Sequence, residues 1–165
     1  MLNPVSLIIP ALVLLPNLIF FRTQPSHLPA APARENRVLA LLEGIGRVAV
    51  FVIPLFAPIP AGHFAEHLAL AGMALAIGWY YYGWLRYFRS RCDYRKLFAP
   101  LAGIPVPLAL APVGYFLCAA AVLHSPALFS GAVVLALGHI PISLNTYRRI
   151  VAEDGRPGRA VEREK

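Results

Sequence analysis

Cysteine is nearly absent from this chain: two in 165 residues, Cys92 in a basic stretch and Cys118 inside an apolar run. That excludes a disulfide framework and any paired-cysteine metal or redox motif. Charge is scarce as well. Only 14% of the residues are charged and 58% are hydrophobic, where a soluble domain carries about 25% and 45–50%. An ordinary water-soluble core is therefore ruled out. No Walker-type loop, dinucleotide fingerprint, nucleophile elbow or zincin helix occurs, so no motif names a reaction. The ten-residue alternation of a lipid-facing barrel is missing too.

What the chain has is long apolar runs, with a mean hydropathy of +0.62. Lipid offers backbone groups no partner, so a spanning segment outside a barrel must be a helix. A hydrocarbon core of roughly 30 Å takes about 20 apolar residues. Five runs qualify, at about 4–21, 38–58, 67–85, 106–123 and 127–147. The expected fold is an all-α polytopic transmembrane helical bundle of five spans, one domain over residues 1–147. Pro10, Pro16, Pro54, Pro112 and Pro141 would kink its helices. A charged tail, 148–165, follows, and 97–105 reads as a short interfacial piece. The first run has no basic lead-in and is expected to stay in the protein. Short loops imply that successive helices are antiparallel neighbours. A multi-pass protein of the cell membrane follows from this pattern.

Basic residues suggest an orientation. Arg47 apart, the Lys and Arg residues number three in 22–37, five in 86–96 and six from Arg148 onward. Five crossings put all of these on one side, predicting N-out and C-in with a cytoplasmic tail. The 86–96 stretch carries Tyr87, Phe88 and Tyr94 among its arginines. Beside a span it reads as a contact for anionic lipid headgroups, with no nucleic-acid partner.

The sharpest signal is Glu43 and Arg47 within the second run. Four residues apart, they share a helix face and can pair. Counted from Val38, they lie about 8 and 14 Å into the bilayer. An arginine at that depth costs about 2.5–3.5 kcal/mol and turns toward protein or a wet cavity. Gly44 and Gly46 permit close approach of another helix or a ligand. Counting inward from the basic ends places Asn17 level with Glu43 and His139 level with Arg47. Ser143 and Asn145 lie lower on the fifth run, and Tyr81 and Tyr82 at shallow depth on the third. Glu43, Arg47, His139, Asn17, Tyr82, Ser143 and Asn145 form the candidate ligand-binding set. Pro16 and Pro141 would each free a carbonyl close to it. No second histidine matches His139 in depth for haem ligation. His63, His67, His124 and Glu66 gather at the opposite end without a secure ligand spacing. No metal or cofactor is implied.

Three functions remain open. A transport, permeation or intramembrane binding protein would orient a small anionic, zwitterionic or amphipathic ligand at the charge pair, in a homodimer if access alternates. A non-catalytic scaffold or accessory subunit would use the same pair for packing. A membrane-embedded enzyme acting on a lipid or isoprenoid-like substrate would use Glu43 or His139 as acid–base and Arg47 as an anion clamp.

Overall fold

In the computed structural model, residues 6–23, 25–28, 36–57 and 64–154 are described, and among them the chain is helical apart from turns and two isolated bridges. The helices are α1 (Ile8–Phe20), α2 (Arg37–Val52), α3 (Phe64–Arg89), α4 (Pro107–Val122) and α5 (Pro126–Asp154). A 3₁₀ turn at Ile53–Phe56, started by Pro54, extends α2.

The protein is an all-α, multi-pass membrane bundle, but the expectation of five spans is overturned. Among the described residues, three stretches are long and apolar enough to cross: Arg37–Phe56, Phe64–Arg89 and Pro126–Asp154, of 20, 26 and 29 residues. The other two helices are short, with 13 residues in α1 and 16 in α4. At the α-helical rise they measure about 20 and 24 Å, below a roughly 30 Å core. Proline limits α4. A residue before proline is pushed out of the α region; Val106 takes a left-handed conformation at φ 44° and Pro107 then begins the helix. At the far end His124, at φ 45°, turns the chain into Pro126 and α5. In α1 the last turn tightens, with the Arg22 and Thr23 amides donating to Ile19 and Phe20. Hydropathy counts such runs as spans because it does not register where a helix breaks. The N-out, C-in assignment rested on five crossings and loses its basis with them.

The long helices exceed their runs. α3 reaches Arg89, and α5 continues past 147 to Asp154, so the start of the charged tail is helical. In packing order the bundle reads α2, α5, α4, α3, with α1 against α3. Successive helices are neighbours for α3–α4 and α4–α5, whereas the main partner of α2 is α5. Small residues make that seam. Gly46 meets the Leu135 backbone, Gly131 meets Ala49, and Gly138 meets the Glu43 amide and the Leu39 carbonyl. These pairs run in opposite senses, so the two helices are antiparallel. Close backbone approach of this kind holds membrane helices together where lipid is as apolar as leucine.

The α3–α4 connection is ordered by polar clamps. The Arg86 guanidinium donates to the carbonyls of Lys96, Ala99 and Pro100 at 2.7, 2.6 and 2.8 Å. Leu101 and Ile104 exchange two 3.0 Å backbone bonds across Ala102 and Gly103, whose φ angles are +50° and +80°. This is the hairpin turn that demands positive φ at both central residues. Arg95 joins Asp93 (3.1 Å) to Asp154 of α5 (3.2 Å). Burial pushes the Asp93 carboxyl up, but the side-chain and backbone bonds from Arg95 outweigh it and hold the acid below its ordinary range.

Candidate ligand-binding site

Glu43 lies where Gly138 lets α5 touch α2, and that contact sets the site. With no Cβ on Gly138 to hold the helices apart, the next residue of α5 reaches the carboxylate. His139 Nδ1 is 2.7 Å from Glu43 Oε1, and Arg47 Nη2 is 2.5 Å from the same oxygen. The glutamate side chain is 14% exposed, the histidine 23% and the arginine 57%. Glu43 is thus the shielded centre, and Arg47 the outer member. Facing a carboxylate, which only accepts, Nδ1 is the ring nitrogen that donates, and Nε2 is left for another partner.

Beside this triad lies a cavity of about 420 Å³, within the range of small-molecule pockets. All five helices line it, and Tyr94, Leu97 and Phe98 of the α3–α4 connection close one part. Its lining residues that are exposed are Leu14 of α1, Phe21 just beyond that helix and Arg47 of α2. Among the described residues, the cavity wall is thus most exposed toward α1 and α2, with Arg47 one of its exposed members.

Of the seven sequence candidates, Arg47, His139, Asn17 and Ser143 line this cavity. Glu43 stands behind it, bonded to two of them. Tyr82 is 57% exposed and Asn145 is exposed as well, and neither lines the cavity. Of the neighbouring tyrosines, Tyr80 lines the cavity and Tyr81 bonds α1. Asn17 Nδ2 donates to Tyr80 Oη at 2.8 Å and to the Val13 carbonyl at 2.8 Å; the Tyr80 hydroxyl donates onward to that carbonyl at 3.3 Å. Pro16 has no N–H, which frees the Leu12 carbonyl one turn back, and the Tyr81 hydroxyl takes it at 2.9 Å. The short α1 is thereby fastened to α3 by hydrogen bonds where it forms the cavity wall.

Trp84 is the residue that spacing missed. One turn beyond Tyr80, it is 6% exposed and lines the cavity. Its indole N–H is buried beside the Tyr80 hydroxyl and makes no hydrogen bond of ordinary geometry. The recurrence of Met73, Tyr80, Trp84 and Tyr87 on one buried face of α3 was the available signal. At the opposite end, Glu66 meets His124 at 3.5 Å; His63 lies outside the described residues. No family model, curated protein or solved structure matches the chain.

Proposed function

We propose that the protein binds a small amphipathic carboxylic acid within the membrane. The reading is carried by the cavity itself. Its polar end is Arg47 and His139, and its remaining wall is mainly aromatic and aliphatic. Charge balance selects the ligand. Glu43 and Arg47 cancel when His139 is the neutral Nδ1–H tautomer. A bare carboxylate would leave an uncompensated negative charge at low dielectric, which is expensive. An acid arriving from lipid with its proton adds no net charge. Its hydroxyl can donate to His139 Nε2 while its carbonyl accepts from the guanidinium N–H groups that Glu43 leaves unused.

A catalytic reading is weaker, because Glu43 is engaged by both Arg47 and His139 and is not free to exchange a proton with a substrate. A scaffold reading draws support from the glycine seam around Glu43, and the same experiment separates the two. The purified protein is melted with dodecanoate, its methyl ester or dodecylamine, and again as Arg47→Gln. At a hundredfold excess over Kd a ligand stabilises by about 2.7 kcal/mol, or roughly 5–10 °C for this size. The acid alone should do so, and Arg47→Gln should abolish the shift. Equal shifts from acid and ester, or none from any compound, would overturn acid binding.

A further inference from the structure

Among the described residues, every lysine and arginine except Arg47 lies at one end of the bundle. That end holds the C-termini of α3 and α5, joined where Arg95 beyond α3 meets Asp154. The turn after α1 is there as well, since the Ser26 amide donates to the Cys92 carbonyl at 2.9 Å. Because α2 runs antiparallel to α5, Arg37 belongs to the same end. The opposite end receives none, because no Lys or Arg occurs between 48 and 85 or between 97 and 147.

Hydrogen bonds divide this basic set in two. Arg86 is committed to the carbonyls of Lys96, Ala99 and Pro100, and Arg95 to Asp93 and Asp154. Arg89, Arg91, Lys96, Arg148 and Arg149 are exposed, and among the described residues their side chains have no hydrogen bond or ion pair. The exposed acids beside them are Glu153 and Asp154, and Arg95 holds the second. A face of unpaired cations attracts an anionic partner. Helix length identifies that partner. With 26 and 29 residues, α3 and α5 measure about 39 and 43 Å, more than a roughly 30 Å hydrocarbon core. Hydrocarbon rejects charge, so the surplus belongs to the turns that carry Arg89, Arg148 and Arg149. Those turns emerge at headgroup depth, where long basic side chains reach lipid phosphates.

We propose that this end is a docking surface for anionic phospholipid headgroups, held by Arg89, Arg91 and Lys96 at the end of α3 and by Arg148 and Arg149 near the end of α5. The surface is separate from the cavity and does not rest on acid binding there. The test places the full chain in phosphatidylcholine vesicles with trace spin-labelled phosphatidylglycerol or phosphatidylcholine. Electron spin resonance then reads the fraction of each label immobilised on the protein. At low salt the anionic label should be favoured roughly fivefold, the worth of one basic residue beside an anionic headgroup. At about 1 M salt, where the Debye length is about 3 Å, the preference should approach one. Arg89→Gln, Arg91→Gln, Lys96→Gln, Arg148→Gln and Arg149→Gln combined should have the same effect, and the salt series on the wild type stands even if that variant fails to fold. Arg47→Gln should leave the preference unchanged, which keeps this outcome apart from that of the cavity. Equal association of the two labels at low salt, or a preference that survives salt or the five substitutions, would overturn the proposal. Loss of the preference on adding glycerol phosphate at constant ionic strength would assign the face to a soluble phosphate and overturn the lipid assignment.

Discussion

Gly138→Ala tests the seam that brings the charge pair to the cavity. An added Cβ would press on the Glu43 amide and lie 2.6 Å from the Leu39 carbonyl oxygen. Both are backbone atoms, so no rotamer change relieves them. Reaching ordinary contact requires α2 and α5 to part locally by about 1 Å. Overpacking of this kind costs about 1–3 kcal/mol, and alanine's better helix propensity returns about 0.5–1 kcal/mol. The net loss is up to about 2.5 kcal/mol, lowering the melting midpoint by up to about 10 °C. Gly44→Ala is the matched control, made on the facing helix α2 at a position with nothing within 4 Å. It should gain the propensity without the clash and melt no lower than the wild type. Thermal unfolding in detergent, followed by circular dichroism, reads both variants. Imidazole NMR of His139 reports whether the bond to Glu43 loosens in Gly138→Ala. A Gly138→Ala protein as stable as Gly44→Ala would refute direct backbone contact between α2 and α5.

Other consequences can be checked in the same preparation. Glu43→Gln should destabilise more than Arg47→Gln, because Glu43 also receives His139, and the double variant should recover about 0.5 kcal/mol or more of the summed loss; strictly additive melting shifts would show that the pair is not coupled. Tyr81→Phe should cost about 0.6–1.7 kcal/mol by stranding the Leu12 carbonyl. That cost should shrink in a Pro16→Ala background, where an amide at residue 16 recovers the carbonyl, and an unchanged cost there would refute the proline explanation. Asp93 titrates below its ordinary range when folded. Its stabilisation of the α3–α4 connection is therefore full above about pH 4, the unfolded value, and is lost as pH falls through the lower folded value. Hydrogen exchange of the 94–104 amides should rise over that acid window in the wild type, and Asp93→Asn should remove the dependence.

The charged centre was legible because its chemistry leaves few options. A glutamate and an arginine four residues apart in an apolar run are placed to pair, because lipid cannot accommodate either alone. The sequence set His139 level with Arg47, and its bond to Glu43 emerged only from the packing of α5 on α2. Helix length was not legible from the same runs, since apolar character continues through the Pro105–Pro107 break and through the turn after Phe20 while the helix does not. Nor was the choice of tyrosine. Trp79 through Tyr82 cover the full circumference of α3, so composition leaves its rotation open. The packing of Met73, Tyr80, Trp84 and Tyr87 inward fixes that rotation and turns Tyr82 outward.

Glycine shows the same division. Gly44 and Gly46 offer equal freedom in the sequence, yet Gly46 carries the Leu135 contact and Gly44 faces open space. Which glycine matters depends on the partner helix, and the partner is α5, distant in sequence. The close approach of Gly138 then places His139 against Glu43. Packing by residues without side chains thus determines the polar geometry: widening the seam should weaken the acid site before it unfolds the bundle.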